Sequence, residues 1–286
     1  MIWVLFVVLS GFADAVMFAV MKKLKNANDS VLVWIQYGFA LPFLLLLLYF
    51  AYPKHIIYSV YWVAFINGII LLVSTYLMVK AIHNGDLSSS MPMLSFTPLF
   101  LVVNSYLFLG ELPTLHGFIG IVLIVLGAFI INVKDFRNGF TAPFRSLVIN
   151  KGSLYCIIVA FMWSITANLF KIGILGSNPV YYSMLVYFVI SVMMIPILGF
   201  KFRDSIRDIK SNFALLSILG IASAVMVVLS SYSMLNAIVP YVIAIKRSSV
   251  VFSIFFGYYM FKEKNIKPAL IGAIIILAGG ILITLF

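Results

Sequence analysis

The chain has 286 residues, of which 64% are hydrophobic and 9% charged, with a formal net charge of +11. A soluble globular domain carries roughly 25% charged residues, so this composition and a mean hydropathy of +1.17 exclude an ordinary soluble fold. In a soluble protein the positive charge would point to nucleic acid. In a membrane protein Lys and Arg gather in cytoplasmic loops, so the lipid bilayer is the expected partner and nucleic acid is not.

The N-terminal run "MIWVLFVVLSGFADA" has the apolar stretch of a signal peptide but no basic segment before it, and it stays apolar to Met21. It is read as a first transmembrane helix that is kept. Apolar stretches long enough for a bilayer core of roughly 30 Å then follow in order. They cover about 2–21, 30–51, 58–80, 87–109, 114–133, 152–174, 179–200, 213–235, 239–261 and 266–286. Turn-forming stretches such as "KNAND", "HNGD" and "GELPT" separate them. The largest connections are the basic stretches "VKDFRNGFTAPFRSLVINKG" and "FKFRDSIRDIKSN". Cys156 stands alone inside an apolar run and is read as a small buried hydrophobe.

The two halves repeat each other. A shift of 152 residues pairs Gly68 with Gly220, Phe100 with Phe252, Glu111 with Glu263, Gly120 with Gly272 and Gly127 with Gly279. Earlier in each half a shift of 149 pairs Phe12 with Phe161, Lys22 with Lys171 and Phe39 with Phe188. The organisation is therefore a first repeat at 1–133, a basic connecting loop at 134–151 and a second repeat at 152–286. Five spans per half is an odd number, so the second half enters from the opposite face and the repeats are inverted. Inverted repeats are typical of secondary transporters, with the substrate at the repeat interface near the midplane. Of the 19 Lys and Arg, all but Lys54, Lys171, Lys246 and Arg247 fall at the connections after odd-numbered spans. By the positive-inside rule that face is cytoplasmic, and both termini are expected on the extracytoplasmic side of the cell membrane.

The stretch "AIHNGDLSSSMPMLSFTPLFLVVNSYLFLGELPTLHGFIGIVLIVLGAFII" has a small residue closing the third span and a Pro in the fourth. It then has an aromatic-rich end, "YLFLGE", and a Gly-punctuated fifth span. The second half repeats it as "SMLNAIVPYVIAIKRSSVVFSIFFGYYMFKEKNIKPALIGAIIILAGGILI". With "VAFMWSITANLFKIGI" opening the sixth span, the chain resembles the EamA domain of the drug/metabolite transporter superfamily along essentially its whole length. The resemblance implies an all-α integral membrane fold of ten helices in two inverted five-helix repeats. Spans 1, 3, 4, 6, 8 and 9 would line a central cavity, and spans 5 and 10 would pack at the periphery. The phosphate-translocator branch of the superfamily grips its substrate with a Lys-Arg pair in the ninth helix, and Lys246-Arg247 looks similar in position. Three departures stand out: Val250 occupies the place of Pro98, Trp163 that of Asp14, and the second connection, "YPKHIIY", is almost uncharged.

Lys246 and Arg247 are the first candidates for substrate binding. Lys246 lies roughly 10 Å into its span at 1.5 Å per residue, too deep for easy snorkelling. Lys246, Ser249 and Ser253 follow a spacing that gives one polar strip on a helix. Arg offers bidentate geometry and Lys a point charge to a carboxylate or phosphate. The alternative is that Arg247 ties two helices together through a carbonyl or an acid. Asp14, the acidic residue well inside a span, reads as their counter-ion, as a carrier for a coupling proton, or as a structural hydrogen-bonding group. Trp163, Asn168, Tyr76, Ser95 and Tyr232 complete the candidate substrate contacts, each also explicable as packing between helices. Glu111 and Glu263 end matching spans and read as structural or gating groups. Pro92 and Pro98 are expected to bend the fourth span.

No G-x-x-x-x-G-K-[ST] phosphate loop, no H-E-x-x-H and no Cys/His cluster occurs, so no cofactor, metal or ATP site is expected. The leading reading is a secondary transporter, not an enzyme, that moves a small polar or amphipathic metabolite by alternating access. An amino acid or an organic anion suits one acid and two bases. The alternatives are an integral-membrane enzyme acting on a lipid-linked substrate and a non-transporting membrane scaffold. The sequence does not indicate an oligomeric state.

Overall fold

A chain in hydrocarbon has no water to satisfy its backbone, so each span must close its hydrogen bonds internally, and helices are the result. The structure, a computed structural model, describes residues 2–24, 29–84, 91–132, 151–200, 202–261 and 267–285. The basic connection at 134–150 and Glu263 lie outside the described residues. Among those described, all regular structure is helical.

The first span is α1 (Ile2–Lys23). The second, expected as one helix, is split into α2 (Asp29–Gly38) and α3 (Leu41–Phe50), with Pro42 in the first turn of α3. A proline there donates no N–H, and its ring crowds the carbonyl four residues back, that of Gly38. The third is α4 (Ser59–Asn84), a turn longer than its apolar run. The fourth opens as a 3-10 helix (Met91–Phe96) and continues as α5 (Thr97–Leu109), with Pro98 in the first turn of α5. Gly110 closes α5 at a φ of 68°, a left-handed conformation that glycine adopts without steric cost.

Then come α6 (Leu115–Asn132), α7 (Lys151–Leu175), α8 (Pro179–Phe200) and α9 (Phe202–Met234). The basic stretch before the eighth span, read as a loop, is helical and merges into α9 through a kink at Asn212 (φ −123°, ψ 19°). The ninth span is divided into α10 (Val239–Lys246) and α11 (Ser249–Phe261), and α12 (Lys267–Leu285) is the tenth. Among the described residues, seven of these spans are long and apolar enough to cross a membrane, and Met93–Leu109, Leu115–Ile130 and Ile271–Leu285 are shorter apolar helices.

The packing follows the repeat. The first helix of each half lies along the third span of the other: α1 packs on α9 and α7 on α4. In the same crossed way α1 meets α11 and α7 meets α5. The main apolar core therefore draws on both halves, among them Leu44, Leu101 and Ile121 with Tyr182, Tyr187 and Val242. The helices that end the halves, α6 and α12, run antiparallel in close contact, Gly120 against Gly279 and Gly127 against Gly272. The fold is thus an all-α membrane protein built from two interlocked repeats.

The glycine contacts make a direct prediction. A Cβ on Gly127 would sit 2.6 Å from the carbonyl oxygen of Gly272, whereas one on Gly280 would meet nothing within 4 Å. Gly127→Ala must push two backbones apart at a cost of about 1–3 kcal/mol, while Gly280→Ala is neutral or stabilising. Thermal unfolding in detergent separates the two, and equal melting temperatures would contradict this packing.

Candidate functional site

The ninth span breaks without a proline. Around Arg247 the backbone bonds shorten to three-residue steps. The Arg247 N–H donates to the Ala244 carbonyl at 3.0 Å, Ser248 to Ile245 at 2.9 Å, Val250 to Arg247 at 3.0 Å and Val251 to Ser248 at 2.9 Å. The N–H groups of Arg247, Ser248, Val250 and Val251 keep acceptors while the helix is locally overwound. Against this turn lies Gly11 of α1. A Cβ there would stand 2.9 Å from Ser248 Oγ, 3.1 Å from the Lys246 carbonyl oxygen and 3.2 Å from Ser249 N. Glycine is what lets α1 approach the broken turn. The fourth span resumes as α5 at Thr97, which the shift of 152 pairs with Ser249, so both breaks share one register.

A three-residue turn advances about 120° per residue instead of 100°, so Lys246 and Ser249, three positions apart, stay on one face of the ninth span. Ser253 Oγ donates to the Ser249 carbonyl at 2.8 Å and is spent within its own helix.

Lys246, Arg247 and Asp14 are all half-buried. The Lys246 ammonium donates to Met226 Sδ at 2.9 Å, a weak acceptor. The Nε of Arg247 and the hydroxyl of Ser248 are buried and have no hydrogen-bond partner. Asp14 lies near enough for its charge to act on both Lys246 and Arg247, but it makes no close ion pair with either. On α1 the residues Ile2, Leu5, Leu9 and Phe12 are exposed and form one apolar stripe. Asp14 is about 200° round from Phe12, so it points inward. One turn before it, Ser10 Oγ donates to the Met226 carbonyl at 3.0 Å and lies 2.6 Å from Ser230 Oγ, tying α1 to α9.

The other candidates are placed differently. Trp163 Nε1 donates to Ser74 Oγ at 3.1 Å, fixing α7 to α4. Asn168 is fully buried. Its Oδ1 accepts from Ser105 Oγ at 2.7 Å and its Nδ2 donates to the Ser164 carbonyl at 3.0 Å. Asn104 Nδ2 donates to Ser164 Oγ beside it. These groups join α5 to α7. Ser95 is buried in the 3-10 turn of the fourth span, in the place that Arg247 takes in the ninth. Tyr232 is half-buried against the main core. Tyr76 is 52% exposed and shares its face of α4 with the exposed Trp62, Ile66 and Val73.

A second cluster closes one end of the molecule. Glu111, just past α5, meets the Lys171 ammonium of α7 at 2.5 Å, both side chains largely buried. Its other oxygen accepts the Val239 N–H at 2.8 Å, capping the start of α10. Lys171 also donates to the Ala237 carbonyl at 2.9 Å. Nearby, Thr114 N–H donates to the Tyr241 hydroxyl at 2.9 Å, Asn178 Nδ2 to the Ala51 carbonyl at 2.6 Å, and Ile57 N–H to the Gly176 carbonyl at 2.9 Å. The sequence marks Glu111 as a boundary group but gives Lys171 no role beyond a charge away from the basic face. The usable signal was that Glu111 and Lys171 both recur in the repeat, as Glu263 and Lys22. Gly11, Ser10 and Met226 carried no such signal.

Known proteins give the arrangement a context. A crystal structure of a protein superposes on this chain with a TM-score of 0.73 at 13% identity, covering 98% of this chain and 96% of that one, a likeness of fold. An uncharacterized protein of Methanocaldococcus jannaschii is 33% identical over 72 residues, 25% of this chain and 53% of its own length, so the chain spans about half of that curated relative. The EamA-like transporter family matches residues 1–133 and 150–285, one stretch on each repeat. The chain belongs to the EamA-like transporter family, whose members are membrane transporters of small molecules in the drug/metabolite transporter superfamily.

Proposed function

We propose that the protein is a secondary carrier that moves a small metabolite with an anionic group by alternating access between its repeats. The observation that carries this reading is the broken turn of the ninth span. It holds Lys246 and Arg247 side by side, and there the buried Arg247 Nε and Ser248 hydroxyl have no partner. A buried donor without an acceptor costs about 1–3 kcal/mol, and a carboxylate or phosphate oxygen would satisfy both. Lys246 adds a charge that Met226 sulfur cannot balance. Asp14 stands across from them as counter-ion. Trp163 and Asn168 have their hydrogen-bonding groups engaged between helices and act here as supports for the site. The drive is an ion gradient, exchange or the substrate's own gradient, with a proton as the coupling ion to test first.

In this reading the Glu111–Lys171 cluster is the closed gate of one face, the extracytoplasmic face by the positive-inside rule. It joins the fourth, sixth and ninth spans, so opening that end requires breaking it. Neither runner-up has a specific observation in its favour: the acids are too dispersed for catalysis on a lipid headgroup, and a scaffold gives no reason for unpartnered donors at a broken helix.

Three outcomes follow. In proteoliposomes, Arg247→Lys loses at least roughly tenfold in anion uptake because a point charge replaces a planar fork. Arg247→Met abolishes uptake, and wild-type rates in a folded Arg247→Met sample would refute the anion contact. Lys171→Met leaves Glu111 as an uncompensated charge, on the order of 3 kcal/mol. It therefore increases thiol-reagent labelling of a cysteine placed at Ser177, and unchanged labelling would remove the gate assignment. A C-terminal alkaline phosphatase fusion is active and a C-terminal fluorescent fusion dark, whereas the reverse pattern would invert the orientation.

A further inference from the structure

The charge count of the broken turn limits what it can hold. Two cations, Lys246 and Arg247, face one carboxylate, Asp14, and the charges of all three act on one another. The polar groups packed around them, Ser10 and Ser230 between α1 and α9 and Tyr187 on α8, are uncharged. The cluster therefore carries one positive charge in excess. A site enclosed by protein and lipid penalises any charge left unbalanced. The two unpartnered donors, Arg247 Nε–H and Ser248 Oγ–H, are adjacent in one tight turn and suit one oxyanion. Asp14 is three residues from Gly11, which touches that same turn, so a rise of about 4.5 Å along α1 separates them. A second negative charge on the ligand would meet the Asp14 carboxylate.

We infer that Asp14 is a specificity-determining residue that restricts the Lys246–Arg247 site to monoanions. The inference rests on the proposed anion carrier and adds the charge its substrate bears. A monoanion leaves the occupied site neutral. A dianion leaves one negative charge in excess, and a zwitterion leaves the positive charge uncompensated. The counterpart of Asp14 in the other repeat is Trp163, whose N–H is engaged with Ser74, so this control exists on one side of the interior alone. Removing the carboxylate raises the excess to two positive charges and moves the preference to dianions.

The test uses the purified full chain and three four-carbon probes that differ in charge: butyrate, succinate and 4-aminobutyrate. Their half-saturating concentrations are read from ligand-induced thermal stabilisation and from competition with labelled butyrate in proteoliposomes. The wild type binds butyrate at least ~10-fold more tightly than succinate or 4-aminobutyrate, as an unbalanced charge in a site shielded from water demands. Asp14→Asn reverses the order in favour of succinate, and Asp14→Glu keeps the wild-type order. If both anions bind but Asp14→Asn leaves their order unchanged, or if the wild type prefers succinate, the charge rule is overturned while the anion carrier stands. If the wild type takes neither anion, the carrier reading fails with it. Should Asp14→Asn not fold, Lys246→Met, which removes one cation with an apolar side chain of similar length, gives the same answer. Its preference passes to 4-aminobutyrate, and a retained preference for butyrate overturns the inference.

Discussion

Hydrocarbon cannot hydrogen-bond a loosened backbone, and this constraint decides where the molecule carries irregular structure. Each break in a span is resolved locally. In the second and fourth spans a proline at the start of the new helix has no N–H to leave unpaired. In the ninth, the bonds shorten to three-residue steps, so the N–H groups of Arg247, Ser248, Val250 and Val251 keep acceptors. The polar cost passes to the side chains. Arg247 Nε and Ser248 Oγ are left buried and unpartnered, as is Asn67 Oδ1 on α4, while Ser105, Ser164, Asn104 and Asn168 bond to one another. Of these places, the charged turn is the one that leaves two adjacent residues unpartnered.

The repeat shows why one half alone carries charge. Both halves share the break, at Phe96–Thr97 and at Ser248–Ser249 in the paired register. In the first half the place of Lys246 and Arg247 is taken by Leu94 and Ser95, both buried, and the facing helix offers Trp163 bonded to Ser74. In the second half the facing helix offers Gly11 and Asp14. The duplicated architecture thus supplies two breaks in equivalent places. One is lined by Leu94 and Ser95 and the other by Lys246 and Arg247, so substitution at a few positions makes a symmetric frame one-sided.

Much of this was legible in the sequence, for physical reasons. Run length and apolarity mark the spans, because the bilayer thickness sets how many residues a helix needs. The doubled Gly and Glu positions mark the repeat, because close approach of α6 and α12 leaves no room for a Cβ at Gly120, Gly127 and Gly279. The depth of Lys246 and Arg247 marks them out because charge in a span is costly. The break in the ninth span was not legible, since no proline announces it and the residue packed against it, Gly11, lies more than two hundred residues away. Nor could spacing tell a free polar group from a satisfied one. Asn168 and Trp163 look like Asp14 on paper, yet their partners, Ser105 and Ser74, are set by tertiary packing.

The two polar clusters are not independent, because a single short helix joins them. Helix α10 begins at Val239, whose N–H is bound by Glu111, and ends at Lys246, beside Arg247. Eight helical residues span roughly 12 Å. Such a rod is stiff on the scale of one side chain, so a tilt at either end is felt at the other. The closed end has a mostly buried ion pair and several hydrogen bonds that cross between the repeats. The charged turn has donors with no acceptor, so an anion gains contacts there that the empty site lacks. In the proposed carrier a ligand can shift the gate only by binding one arrangement of α10 more tightly than the other. The groups able to make that difference, Arg247 and Ser248, are the ones at the end of the rod, which is why the broken turn and the Glu111–Lys171 pair belong to one mechanism.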